Sequence, residues 1–533
     1  MITDIVIAGA GPTGLMLACE LSLAGIRPIV LERLAEPSVE PKANGLVGQV
    51  VPMLDRRGLY SAISGDSAAP QPNSAYFMFA AMPLNLGLLA HSPVYNLPVP
   101  QARLVAALSE RAHELGVEIR RGSEVVGLTQ DEDHVTVEVA DGDEREQIRA
   151  RYLVGADGAH SAIRKLSGID FPGVSYDRTT ARTVHATVPP EWVDPATGGL
   201  RIPGSGVIRP FLPIRTDSGG FAYAPFPGHP PLISTSEQDQ PETDEPMTFD
   251  EMQASIARVL GVDIPLTPPT GDGPHLLRRL VGGNTRMADR FRDRRVFLVG
   301  DAAHVFSVMG GPGLNVGLQD SINLGWKLAA ALDGRAPEHL LDSYDRERRK
   351  VAERTIISAQ AQSALVAPGS DTTALREVVG ELLTDESTVR RLADLIAGTD
   401  TRYDMGIDDP HPLVGYFAPD LLVHLRERTV RLAELVRNGR PLLLDSGDGT
   451  AGREVAAGWG DRVDVVTGRV DAKGDLPDVL LVRPDSYVAW ACSPAEASAE
   501  YSDGLRSALR RWFGEARGHG SPSTATPAAM AGD

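Results

Sequence analysis

Two hydrophobic rhythms alternate along this chain, and the switches between them mark its corners. The opening segment "DIVIAG" (Asp4 to Gly9) is a short unbroken apolar run, the pattern of a strand buried on both faces of a parallel sheet. The spacing then changes to three and four, with Leu17, Ala18, Leu21 and Ala24 on one face of a helix, and "PIVLE" follows as a second strand ending at Glu32. Similar corners come twice more. "RYLVGADG" carries a strand over Tyr152–Val154 into Ala156, Asp157 and Gly158, ahead of a short helix bearing Arg164 and Lys165. "RRVFLVGD" carries a strand over Val296–Val299 that delivers Asp301. A loop with Gly310, Gly311 and Gly313 follows, then a helix with Leu318, Ile322, Trp326 and Ala329 on one face. Between these corners, "SGVIRPFLPIR" and "GGFAYAPFPG", joined by the turn "TDSGG", predict an antiparallel sheet. From about residue 400, "RPLLLDSGDG", "DRVDVVTG" and "DVLLVRPDSYVAWA" predict short strands of a small α/β domain. The charged run "DRERRKVAER" reads as a solvated helix face.

At 533 residues the chain is too long for a single core. Its net charge of −19 argues against nucleic acid and against an anionic membrane surface as partners. Two cysteines, Cys19 and Cys492, are too few for a disulfide scaffold, and the twelve histidines show no metal-ligand spacing, so no metal is expected. "MITDIVIAGAGPTG" enters a strand pattern without the basic start of a signal peptide, and no apolar run approaches the roughly 18 residues of a membrane span. The expectation is a cytoplasmic protein.

The first corner is strand, G-x-G-x-x-G, helix, strand, acid within one compact unit. Gly9 allows the tight turn, Gly11 lets backbone N–H groups approach a pyrophosphate, and Gly14 lets the helix pack on the strand. Ala10, Pro12 and Thr13 form the rest of the loop wall, and the helix start offers partial positive charge to phosphates. Glu32 is placed to accept from ribose hydroxyls. A dinucleotide held only at this corner needs no second glycine-rich corner three hundred residues on. An extended cofactor does, and flavin adenine dinucleotide (FAD) fits. Asp301 would accept from a ribityl hydroxyl, and N–H groups from Gly313 through Leu314 to Asn315 would face the flavin's pyrimidine edge.

Taken together, Gly9-x-Gly11-x-x-Gly14 with Glu32, "GADGAHSAIRK" and "VGDAAHVFSVMGGPGLNVGLQDSINLGWKLA" resemble the single-component FAD-dependent aromatic monooxygenases, such as the para-hydroxybenzoate and phenol hydroxylases. The likeness is strongest to bacterial aromatic-polyketide and rifampicin-type oxygenases. It implies that Asp157 and Gly158 serve FAD and NAD(P)H handling, that Asp301 contacts the ribityl chain, and that Pro312, with Gly313, positions the flavin's reactive edge. It also implies that Gln101 reaches the FAD linker and that Arg33 lies by the adenosine. Where the family usually has an arginine on the pyrophosphate, this chain has Lys42, which keeps the charge but loses the planar fork. NAD(P)H would reduce the flavin, and a flavin C4a-hydroperoxide would pass one oxygen of O₂ to an aromatic substrate of the polycyclic polyketide type. Baeyer–Villiger oxygenation on the same scaffold and a non-catalytic, redox-gated FAD-binding protein are the alternatives.

The expected fold is α/β: a Rossmann-like FAD-binding domain (1–173 and 276–398), an inserted antiparallel-sheet substrate domain (174–275), and a small C-terminal domain (399–516). The resemblance implies that the last is thioredoxin-like, here without Cys-x-x-Cys. Residues 517–533 are expected to be disordered, and the protein to be a monomer or homodimer. Phe211, Phe221, Tyr223 and Phe226 are candidates to line an apolar face against the flavin, with Tyr76, Phe77 and Phe79 as an additional patch. His304 is expected to support its loop rather than to react.

Overall fold

A computed structural model describes residues 2–517 apart from 39, 41, 205, 227, 242, 271–274, 308–310, 448–449, 472–475 and 493–498. Of the tail expected to be disordered, 517–533, residues 518–533 lie outside the described residues, as does Gly310, while the Arg517 amide donates to the Gly458 carbonyl at 2.9 Å. The chain divides into two compact units, one of residues 1–326 with 342–401 and one of residues 327–341 with 402–533.

In the first unit, the apolar runs seen in the sequence form the middle of one sheet. Its strands lie in the order Arg292–Asp293, Val296–Leu298, Glu144–Gly155, Ile2–Ala8, Ile29–Glu32, Glu118–Arg121, extended by the antiparallel strands Ser123–Gln130 and Val135–Asp141. Ile5, Val6 and Ile7 are fully buried, as a strand covered on both faces requires. The three central strands run parallel and in register at their carboxyl ends, with Ala8 opposite Gly155 and Gly155 opposite Leu298. This alignment brings Gly9, Asp157 and Asp301 to one edge of the sheet, where open α/β sheets bind ligands.

The antiparallel sheet has the order Ile214–Thr216, Gly219–Ala224, Leu232–Gln238, Thr179–His185, Leu277–Val281. One face packs on helix Phe249–Leu260, which Thr248 caps by accepting from the Glu251 amide at 3.1 Å. Two expectations are corrected here. "SGVIRPFLPIR" is not one strand: Gly206–Ile208 pairs with Leu200–Ile202 and Ile214–Thr216 pairs with Gly219–Ala224. The break between them contains Phe211 at φ +60°, a conformation that extended strands exclude. Phe221 and Tyr223, offered as flavin-facing aromatics, are 1% and 3% exposed and pack with Met252, Ile256 and Ile233 under that helix. Alternation puts both on the same face of the strand, but the face they share is the core.

The second unit contains a four-stranded sheet in the order Asp464–Thr467, Leu442–Asp445, Val479–Val482, Val488–Cys492. The first pair is parallel and the other two are antiparallel. Helix Ala499–Phe513 follows its last strand. No helix among the described residues is long and apolar enough to cross a membrane.

Candidate cofactor and substrate site

The glycines of the first corner answer to different constraints. Gly9 has φ +108°, and a Cβ there would sit 2.4 Å from the Ala156 carbonyl oxygen. A Cβ on Gly14 would meet the Gly9 carbonyl oxygen at 2.0 Å. Protein contacts alone demand both. Gly11 is different: it has φ −72° and ψ 177°, open to any residue, and no described atom lies within 4 Å of its Cβ position. Neither backbone nor packing requires glycine there, so the open space beside it is where a ligand would come close. Helix Pro12–Leu23 begins at this point, with Pro12 at its start, where a missing N–H costs nothing.

Glu32 accepts from the Ala10 amide at 2.8 Å and from the Leu34 amide at 3.0 Å, so it stiffens the loop it faces. Arg33 is exposed. Gln101 opens helix Gln101–Glu114, with its amide on the Ala43 carbonyl at 2.8 Å.

The second corner presses against the first. Gly300 has φ +60°, and a Cβ there would stand 2.9 Å from Thr13 Oγ1; one on Gly317 would stand equally close. Ser321 Oγ donates to the Thr13 carbonyl at 2.8 Å. Thr13 is thus held between the two glycine-rich elements. Asn315, on helix Pro312–Leu332, accepts the Val47 amide at 3.0 Å through Oδ1, which ties the helix start to the segment after Lys42.

Asp301 is the unsettled group of the site. No described residue donates to its carboxylate, which lies so that a Cβ on Gly313 would be 3.4 Å from Oδ1. One side is open to solvent, yet burial pushes its carboxyl pKa up, with His304 and Lys42 pulling it back. Lys42 itself is half-exposed and pairs loosely with Glu40 at 3.6 Å.

Asp157 has less freedom. Its Oδ1 accepts from Ser161 Oγ at 2.5 Å and its Oδ2 from the Ile163 amide at 3.1 Å, while Gly158 turns at φ +80°. The following helix, Ala162–Leu166, carries Arg164, which donates to the Ala302 carbonyl at 2.9 Å and lies 3.8 Å over the Phe171 ring. The Asp-Gly corner is therefore bolted to the Asp301 corner through Arg164.

Below the second corner lies an ion cluster that sequence reasoning missed. Asp320, fully buried, accepts the Gly300 amide at 3.1 Å, His304 Nε2 at 2.7 Å and Arg348 Nε at 2.6 Å. His304 is in the supporting place expected of it, buried and stacked on Phe306. Arg348 overturns the reading of "DRERRKVAER" as a solvated face, because Glu347 and Arg348 are 6% and 1% exposed while Arg346 and Lys350 face out.

A cavity opens beside Pro312, lined by Val47, Phe77, Met78, Asn315 and Gln319 and by the Arg354–Gln362 face of helix Leu340–Val366. None of the four aromatics first named for this role lines it. Phe211 is 45% exposed and packs edge-on against Phe226 at 5.2 Å. From the additional patch, Phe77 does reach the cavity.

These features fit FAD: an open approach at Gly11, an unpartnered carboxylate at Asp301, and two helix starts at one sheet edge. A prediction separates this reading from a structural one. A carboxyl raised by burial subtracts from stability above its unfolded value of about 4. Asp301→Asn apo-protein is therefore expected to be at least as stable as wild type at pH 7. Its FAD affinity should fall roughly ten- to a hundredfold, the worth of one hydrogen bond to a charged group. Thermal unfolding of the apo forms and FAD titration measure the two quantities.

A family model described as FAD binding domain matches residues 2–359, and one described as aromatic-ring hydroxylase, C-terminal, matches residues 411–516. Over 529 residues the chain is 40% identical to a Streptomyces rimosus protein, 12-dehydrotetracycline 5-monooxygenase/anhydrotetracycline 6-monooxygenase, spanning 96% of this chain and 99% of that one. It is 38% identical over 520 residues to the rifampicin monooxygenase of Streptomyces venezuelae, with coverages of 96% and 99%. The solved structure of OxyS anhydrotetracycline hydroxylase from Streptomyces rimosus matches with a TM-score of 0.83 at 38% identity, covering 97% of this chain and 100% of that one. With the two corners, the bolted Asp-Gly turn and both family models in agreement, the chain belongs to the FAD-dependent aromatic-ring monooxygenases.

Proposed function

We propose that this protein uses NAD(P)H and O₂ to hydroxylate a polycyclic, polyketide-type aromatic held in the cavity beside Pro312. The observation that carries the reading is that this cavity, walled by Phe77, Met78 and Val47, meets the helix start assigned to the flavin. The names of the relatives support the substrate class.

In this reading the Gly11 loop and its helix start hold the pyrophosphate, Glu32 the ribose and Asp301 the ribityl chain. Pro312, Gly313, Leu314 and Asn315 hold the flavin's reactive end. Arg33, Lys42, Gln101 and the Asp157–Gly158 turn complete the cradle. Bound FAD supplies the activation of oxygen that no amino-acid side chain provides. The protein orients the ring and excludes water, so that reducing equivalents reach substrate rather than peroxide. Ser358 Oγ, which accepts from Gln362 Nε2 at 3.3 Å, keeps its own proton to offer a substrate oxygen along one cavity wall.

The antiparallel sheet is assigned as the inserted substrate domain; it contributes no lining to the cavity beside Pro312 and meets the Phe77 hairpin through Tyr76 Oη, which donates to the Pro210 carbonyl at 3.2 Å. The second unit is assigned a thioredoxin-like fold without dithiol chemistry; its parallel pair followed by two antiparallel strands is the support. A cytoplasmic location, where NAD(P)H is supplied, and a monomer or homodimer complete the proposal.

The test is incubation of the yellow holoprotein with NADPH and ¹⁸O₂ against anhydrotetracycline, 1,8-dihydroxyanthraquinone and 2-naphthol. The expected result is substrate-stimulated NADPH oxidation and a product heavier by one ¹⁸O atom, as a ring hydroxyl. Oxygen inserted into a ring as a lactone would replace hydroxylation with Baeyer–Villiger chemistry. No stimulation by any of the three would overturn the catalytic reading.

A further inference from the structure

The strands Tyr76–Phe79 and Met82–Asn85 form a hairpin closed by only two residues, Ala80 and Ala81. Both are left-handed, at φ +52° and +55°, the geometry of the tight hairpin turn that Asn-Gly adopts readily and alanine resists. Both are also buried, at 1% and 8% exposure. Something outside the turn must hold it. Arg376, on helix Ser370–Leu382, donates to the Ala80 carbonyl at 2.6 Å and to the Ala81 carbonyl at 3.1 Å, and anchors itself on the Leu365 carbonyl at 2.9 Å. Gln362 accepts the Ala80 amide at 3.2 Å. Among the described residues no carboxylate pairs with Arg376, and both of its terminal nitrogens donate to main chain. Phe77 and Met78, on the strand that leads through Phe79 into this turn, line the cavity beside Pro312, as does Gln362.

We infer that Arg376 is a positioning residue, a clamp that holds a strained turn shut and so fixes Phe77 and Met78 against the substrate. The inference rests on the proposed function for what fills the cavity, but the clamp itself does not. A planar fork suits two adjacent carbonyls as it suits a carboxylate, and an amine does not replace it. The cost of two left-handed alanines persists only where the surroundings over-determine the conformation, and the two Arg376 contacts on the turn carbonyls, with Gln362 on the Ala80 amide, are those surroundings.

The test compares wild type, Arg376→Ala, and Arg376→Ala combined with Ala80→Asn and Ala81→Gly, all as FAD holoproteins. Hydrogen exchange of the 76–85 segment is read first. Arg376→Ala should accelerate exchange there about tenfold or more with FAD content unchanged, and the Asn-Gly turn should restore protection. Anhydrotetracycline binding, followed by flavin fluorescence, should weaken several-fold in Arg376→Ala and recover in the triple variant. Peroxide formed per NADPH should rise and recover in parallel. Should Arg376→Ala not fold, Arg376→Lys takes its place in the same comparison. Unchanged exchange would overturn the clamp. Faster exchange with unchanged probe affinity and peroxide yield would overturn the positioning role. A wild type that oxidises no NADPH with any aromatic would instead sink the proposed function, leaving exchange and probe binding to decide the clamp.

Discussion

A Gly11→Val protein is expected to fold normally and to emerge without its yellow colour. The backbone at Gly11, φ −72° and ψ 177°, suits valine, and no described atom stands within 4 Å of the new Cβ. Apo stability should hold or rise slightly, since replacing glycine at a compatible position removes freedom from the unfolded chain. The added branches would fill the space that a pyrophosphate needs to reach the helix start. Losing two hydrogen bonds to a charged group costs about 3–6 kcal/mol, or roughly two to four orders of magnitude in affinity. Absorbance at 450 nm after purification and titration of the apo-protein with FAD read the loss directly. Gly14→Val is the control, because its Cβ would collide with the Gly9 carbonyl oxygen at 2.0 Å and should cost folding itself. A folded Gly11→Val protein with full flavin would refute the assignment of this corner.

The second large effect is expected at Asp320. Asp320→Ala would leave Arg348 and His304 buried without their shared acceptor and the Gly300 amide without a partner. Removing one member of a buried ion pair costs about 3–5 kcal/mol, a large share of a domain's net stability. Urea unfolding should register that loss. Flavin retention should fall with it, because Gly300 would no longer be pinned in the conformation that presents Asp301. The acid dependence has a definite sign. Burial alone would push the Asp320 carboxyl up, but Arg348 and His304 more than offset it and hold it below the ordinary carboxylate range. Its contribution is therefore present above the unfolded value of about 4 and is lost as pH falls through the lower folded value. The stability gap between wild type and Asp320→Asn should narrow as pH falls below about 4.

Both corners could be read in the sequence because each compresses its chemistry into one short segment: a run, a glycine spacing, an acid. The alignment of their edges followed from the parallel-sheet rule. The Asp320 cluster could not be read, since Gly300, His304, Asp320 and Arg348 sit on separate elements, and Arg348, 28 residues past Asp320, lies on a helix where a buried arginine and an exposed one look alike. Only the turn of helix Leu340–Val366 decides that Arg348 faces in while Arg346 and Lys350 face out. Phe221 and Tyr223 failed for a related reason: period-two alternation says which residues share a face, but not whether that face meets a helix or a ligand. The cavity was missed almost entirely, because it draws on the hairpin at Phe77, the helix start at Pro312 and a face of helix Leu340–Val366.

The close fit of Thr13 against Gly300, Gly317 and Ser321 also bears on how the protein is made. Thr13 and Ser321 are separated by 308 positions, and the strand that begins the chain pairs with one that ends at residue 155. Contacts of such long range close late, after the loop-closure entropy between them has been met. A ribosome-bound chain has its complete G-x-G-x-x-G long before it has the wall that faces it. Between those two points this corner stays unbacked in the nascent protein, and flavin capture, where it depends on this corner, would report that residues on both sides of that gap have met.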